Sequence, residues 1–250
     1  MSGSEDLVLF AHLLRKPDKQ LDLERAALLI AEAEYRGLDV ARYVAQLDEL
    51  GAQARLRLVK SGLRPGRAPV SLALTTILNL LYRDLGFCGN VSEYYDPRNS
   101  FLNDVLDRRT GIPISLAIVL IGVARRAGLR LEGVSFPCHF LVRAHGENGS
   151  PIFVDPFDGR VLPREEIQAA WEQICDEPVA VDEQVLAPAS SRQIVARILN
   201  NLRIIYEVRG DGRRLCQVLA RLAIVIPSEE AERRLERARI APPAPRISIN

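Results

Sequence analysis

Apolar residues recur at three- and four-residue steps over 21–35, in LDLERAALLIAEAEY, and again over 40–60. That spacing lines one face of an α-helix. Gly37 lies between the two runs, so the pattern predicts a pair of N-terminal helices. The stretch SGLRPGRAP at 61–69 reads as a loop from its glycine and proline content, and 70–86 as a third helix closed by Gly86. Residues 87–100 hold no clean period and many turn formers. Ser100 then offers an N-cap for a helix over 101–109, with Gly111 as its stop. A further helix opens at Pro113, since proline is tolerated where the N–H would have no partner. Its sequence, PISLAIVLIGVARRA, is apolar on nearly every side as far as Arg125. Such a helix belongs at the centre of a domain, and Gly128 ends it.

The period then changes. LEGVSF at 131–136, HFLVRA at 139–144 and PIFVD at 151–155 read as strands, the last two joined by HGENGS into a hairpin. Centring the loop on Glu147 sets His139 opposite Asp155. Directly opposed side chains on one face have Cβ atoms ~4.5–5.5 Å apart, close enough for a carboxylate to hold an imidazole. A slip of one residue would turn the two to opposite faces. A helix over 164–175 and a proline-containing linker near 178–189 follow. From Ser190 the helical period returns as two amphipathic segments around a Gly-Asp-Gly turn. Pro227 ends the second, and a short charged helix comes after it. APPAPRISIN, 241–250, reads as a disordered tail. The expected organisation is therefore an α+β domain over 1–189, a helical hairpin over 190–240 and the tail over 241–250.

Composition narrows the function classes. A net charge of +1 on 250 residues carries no basic footprint, so nucleic acid is not an expected partner. No run reaches ~18 apolar residues, so no membrane partner or span is expected. The N-terminus lacks the basic region and cleavage site of a signal peptide. The four cysteines, 88, 138, 175 and 216, show no C-x-x-C spacing. They are expected to be small buried hydrophobes with free thiols, in a cytoplasmic protein without disulfide, metal site or cofactor.

Two places bear chemistry. Cys138 adjoins His139, and in an extended strand neighbours face opposite ways, so the pair should not act together. Ser115 lies in the first turn of the buried helix, where free amides and the helix dipole favour an anion. A serine there needs a well-placed base to attack anything. Its plain alternative is a hydroxyl bonded to its own backbone. The loop YYDPRNS, 94–100, either lines a groove near that helix or wraps the domain. His145 reads as a loop residue. Arg125 and Arg126 read as solvated or carboxylate-paired.

FCGN at 87–90, the long stretch 94–143 and VDPFDG at 154–159 together resemble the SirB-type branch of the transglutaminase-like superfamily, strongly over about 70–165. The resemblance implies a papain/transglutaminase-like core, in which a small antiparallel sheet packs on a buried helix. It also implies a cysteine–histidine–aspartate triad. By that resemblance Ser115 stands at the cysteine position, His139 at the histidine and Asp155 at the aspartate. Serine removes the thiolate on which the superfamily's chemistry depends. Cys138 falls where similar sequences carry a small residue, usually glycine, which makes it an alternative, displaced nucleophile. Residues 190–240 resemble a tetratricopeptide-like hairpin.

Three readings follow. The first is a non-catalytic or regulatory binding module. The second is an amide or ester hydrolase or acyl transferase using Ser115, His139 and Asp155. The third is an assembly module whose C-terminal helices recruit a protein or peptide partner.

Overall fold

The computed structural model describes residues 3–174 and 181–240. Cys175 and the 241–250 tail lie outside them. The chain opens with a helix the periodicity did not predict, α1 (Gly3–Leu14). The expected helices follow as α2 (Leu23–Glu32) and α3 (Val40–Lys60). Each starts on an aspartate whose carboxylate accepts a backbone N–H: Asp22 from Arg25 at 3.1 Å and Asp39 from Arg42 at 3.0 Å. That satisfies one donor a helix start leaves open. Helix α4 (Val70–Leu78) runs on into a π-helical turn over Asn79–Asp84.

Ser100 does not cap the next helix. It closes a short 3₁₀ turn (Pro97–Asn99), and its buried hydroxyl has no hydrogen-bond partner among the described residues. Helix α5 (Leu102–Arg108) starts from Phe101 and stops at Arg109, not Gly111, because Arg109 takes the left-handed conformation (φ 57°). Two short segments, β1 (Cys88–Gly89) and β2 (Thr110–Gly111), pair in parallel and lead into α6 (Pro113–Arg126).

Helix α6 is buried from Pro113 to Ala124 apart from Ile121. Removing each such Leu, Ile or Val side chain from water contributes roughly 1.5–3 kcal/mol. Four strands form an antiparallel meander: β3 (Leu131–Val134), β4 (Leu141–His145), β5 (Pro151–Asp155) and β6 (Arg160–Leu162). Alternation gives the sheet two apolar faces. Phe140, Val142, Ala144 and Val154 join the main core with α6. Leu141, Phe153 and Leu162 face a smaller core with Ile167 and Leu186. Ile167 belongs to α7 (Glu166–Ile174). The molecule is thus α+β, with helices dominant.

The C-terminal helices are α8 (Ser191–Val208), α9 (Gly212–Val225) and α10 (Glu229–Ile240). Helix α8 begins just after the expected boundary at 189/190 and buries Ile194, Ile198, Leu199 and Leu202 in the main core. The Asp18 carboxylate accepts the N–H groups of Ser191 (3.1 Å) and Arg192 (2.9 Å) at the start of α8. Arg214 of α9 grips Glu34 through Nε and Nη2 at 2.6 and 2.5 Å.

An ion-pair knot ties α2, α3 and α6 together. Arg126 donates to buried Glu24 at 2.7 Å and to Asp48 at 2.6 Å, and Arg125 donates to Glu24 at 3.1 Å. Glycines make room for it. A Cβ on Gly51 would lie 2.3 Å from the Arg126 Cβ, and one on Gly122 would lie 2.6 Å from Glu24 Oε1. No helix among the described residues is long and apolar enough to cross a membrane.

Candidate functional site

The turn between β3 and β4 carries His139. Strand β4 starts only at Leu141, so Cys138 and His139 lie in a turn and not on a strand. Cys138 has φ 54°, and the His139 N–H donates to the Pro137 carbonyl at 2.7 Å, the three-residue closure of a γ-turn. Left-handed backbone of this kind suits glycine best. The alternation argument for separating Cys138 from His139 therefore does not apply. In this structure Cys138 is disulfide-bonded, and a bonded sulfur has no thiolate to attack with. The expectation of free thiols fails at this position. It holds at Cys88 and Cys216, which are free, but Cys88 is exposed where a buried residue was expected.

His139 and Asp155 do meet, with Nε2 and Oδ1 2.9 Å apart and both side chains nearly buried at 11% and 13% exposure. The register behind this contact differs from the expected one. Val142 pairs with Val154 and Arg143 with Phe153, so the hairpin is centred on 148 and Leu141 falls across from Asp155. The shift moves the partner by two positions, which keeps side-chain parity. His139, in the turn just before β4, reaches Asp155 from beyond the end of the paired residues. Asp155 Oδ1 also accepts the Phe157 N–H at 2.8 Å, and the next carbonyl, that of Pro156, accepts the Tyr82 hydroxyl at 2.7 Å. The carboxylate that orients the imidazole is itself held by backbone.

Ser115 has other partners. Its Oγ donates toward the Asn99 carbonyl at 2.6 Å and the Ile112 carbonyl at 3.0 Å, and accepts the Ile112 N–H at 3.1 Å. Ile112 sits at the N-cap without a polar side chain, so Ser115 supplies the reciprocal half of a capping box from inside the helix. Its exposure is 1%. Among the described residues, no hydrogen bond joins Ser115 to His139. The structure thus brings two of the three proposed triad members together and gives the third a capping role.

Two residues beside this site escaped the sequence reading. Arg197 of α8 donates to the His139 carbonyl at 2.6 Å and to Ser135 Oγ at 3.0 Å, and its guanidinium lies 6.0 Å from the centre of the Phe140 ring. It pins both ends of the histidine turn. Tyr94 packs on Tyr95 and Phe157, and burial raises its hydroxyl pKa, with the Tyr95 hydroxyl and Asp155 adding to the rise. An arginine flanking the apolar stripe of an amphipathic helix gives no signal of its own, and Tyr94 was noted only within YYDPRNS. That loop wraps the domain, the second of its two expected roles, and the cleft it lines lies against the end of α8, not at the start of α6. Asn99 holds the Glu93 and Tyr94 carbonyls at 2.7 and 3.1 Å, wrapping the loop, and the same loop walls a cleft of about 610 Å³ with Tyr206 and Arg209.

Arg125 and Arg126 are carboxylate-paired, as expected. His145 ends β4 rather than lying in the loop, and pairs with Glu132 at 3.1 Å. Among the described residues no group of three or more His, Cys, Asp or Glu side chains comes together as a metal site.

A family model described as the transglutaminase-like superfamily matches residues 41–200. The chain belongs to that superfamily. Ser115, His139, Asp155 and Arg197 all fall inside the matched span. A UPF0162 protein of Xylella fastidiosa is 38% identical over 227 residues, which cover 89% of this chain and 78% of the relative. A UPF0162 protein of Pseudomonas aeruginosa is 31% identical over 203 residues, 76% of this chain and 66% of the relative. F-box only protein 21 of Mus musculus is 45% identical over 89 residues, 35% of this chain and 14% of that protein. No solved structure matches.

Proposed function

We propose that this chain is a SirB-type, non-catalytic member of the transglutaminase-like superfamily that serves as a binding or regulatory module. The observation that carries the reading is the engagement of Ser115. Its one proton is directed at backbone carbonyls, its lone pair takes the Ile112 N–H, and 1% of it is exposed. A nucleophilic serine needs its hydroxyl free to give its proton to a base. The partner in this reading is a protein or peptide held by the C-terminal hairpin over 190–240, which we take to be tetratricopeptide-like, beside a papain-like core.

A second reading, a Ser-His-Asp hydrolase or acyl transferase, draws on the assembled His139–Asp155 pair. In it Ser115 would attack, His139 would act as base and Asp155 would orient the ring. A fluorophosphonate probe separates the two. The module reading expects no adduct on Ser115 by peptide mass mapping at any pH where the fold persists. An adduct on Ser115 that disappears in His139→Ala would establish the hydrolase instead.

A further inference from the structure

A groove of about 490 Å³ runs along the face of α8 opposite its core side, between the 135–139 turn and the end of α9. Arg192 and Arg197 line it, together with the amides of Gln193, Asn200 and Asn201 and the exposed side chain of Ile226. The α8 residues recur at helical spacing, 193, 197, 200 and 201, so they form one continuous stripe. Past Asn200 and Ile226 the groove continues into a smaller pocket of about 180 Å³ against α10.

Neither cation has a counter-ion among the described residues. Arg192 gives its guanidinium to the Leu14 carbonyl and, at 3.0 Å, to the Lys16 carbonyl. Arg197 gives two of its five N–H donors to the Ser135 hydroxyl and the His139 carbonyl. Among the described residues neither is in an ion pair, and no carboxylate lines this groove; Glu230, in the adjoining pocket, is paired with Arg234. Other arginines of the fold, such as Arg126, Arg143 and Arg214, meet carboxylates. Arg197 is the more unusual for being largely desolvated: burial lowers its pKa. A buried charge without an opposite charge is costly, and a carboxylate that arrives in a fork-matched geometry offsets that cost.

We infer that this groove binds an extended peptide segment of a partner protein, with an Asp or Glu carboxylate on Arg197 and Arg192 and an apolar side chain against Ile226. The inference rests on the module reading and names the chemistry of its partner. A peptide fits better than a free anion, because side-chain amides along the stripe bring N–H donors and carbonyl acceptors together, Gln193 Oε1 and Asn200 Oδ1 each keeping one lone pair beside the Ser190 N–H (2.7 Å) and the Arg203 Nε (3.2 Å) that they already accept. That is what an extended backbone needs for its own N–H and C=O groups. Ile226 supplies the apolar contact a bare phosphate could not use. Because Arg197 also holds the His139 carbonyl, the bound carboxylate would sit beside the histidine turn.

The test is to pan a random dodecapeptide phage library against the full chain and measure the recovered peptides by fluorescence anisotropy. The expected result is selection for Asp or Glu with a nearby apolar residue. Affinity should fall about tenfold or more when the acid is changed to its amide, or in Arg197→Met. It should also weaken between about 50 and about 300 mM NaCl. Arg192→Met, whose side chain holds only two backbone carbonyls of the α1 end, gives the same readout if Arg197→Met fails to fold. Failure to recover any peptide, selection of neutral or basic peptides, affinity unchanged in both variants, or inorganic phosphate competing as well as an acidic peptide would each overturn the inference. A fluorophosphonate adduct on Ser115 would remove the module reading while leaving the acidic selection to stand or fall separately.

Discussion

Replacing Ser115 with alanine tests whether its hydroxyl belongs to the helix or to chemistry. The substitution strands two buried groups, the Ile112 N–H and the Asn99 carbonyl, both of residues at most 3% exposed. The Ile112 carbonyl keeps another donor, the Leu116 N–H at 3.1 Å. A buried polar group left without its partner costs about 1–3 kcal/mol, and two that share one site add less than fully. The expected loss is therefore about 2–3 kcal/mol. At about 2–4 °C per kcal/mol for a chain of this size, Tm falls by about 4–12 °C. The assay is thermal unfolding followed by far-ultraviolet circular dichroism, with a urea titration to check that the slope m is unchanged. A melting point within about 1 °C of wild type would show that the hydroxyl carries no structural load, and the capping argument would fail.

Glu24→Ala should cost about 3 kcal/mol in a urea titration, since it takes the buried carboxylate from both arginines and leaves Arg126 with Asp48 and the Gly122 carbonyl; a loss below about 1 kcal/mol would mean the knot contributes little. Glu132 has its pKa held below the ordinary 4.5: burial pushes it up, but hydrogen bonds from Arg143 and His145 outweigh that. A carboxylate with a lowered folded pKa stabilises above its unfolded value and loses that contribution as the pH falls through the folded one. Glu132→Gln should thus be less stable than wild type at pH 7, by about 1 kcal/mol, with the gap narrowing as the pH is taken below 4.5 and through the folded pKa; a gap that did not change with pH would contradict this. In Gly89→Ala the new Cβ would meet the Phe157 ring at 2.3 Å, so the melt should drop by the equivalent of about 1–3 kcal/mol, and an unchanged melt would show that the ring gives way freely.

Much of the fold was readable where one period ran long. Helix α3 occupies the expected 40–60 because its apolar stripe holds over 21 residues. Pro113 opens α6 and PIFVD is β5 as read. Short pairings left no trace: β1 and β2 have two residues each, too few for any period. The cap at Ser100 misled because a serine can just as well close a 3₁₀ turn, which is what the Pro97–Asn99 segment needed. The meeting of His139 and Asp155 was legible although the hairpin centre was misplaced by one, since the turn before β4 still sets His139 beside the end of β5. The disulfide at Cys138 was not legible, because widely spaced cysteines look alike whether bonded or free. Arg197 was hidden for a simpler reason: its importance comes from a turn 58 residues earlier.

The grips between Asp18 and the start of α8, and between Glu34 and Arg214, bear on where this protein can be cut. The first ties the flank before the stretch matched to the superfamily, 41–200, to that stretch's last helix, and the second joins its two flanks directly. An excised 41–200 segment would end inside α8 and bare the apolar surface that α1, α2 and α9 now cover. The stretch matched to the superfamily is therefore smaller than the region packed around one core, and experiments on this site call for the whole chain.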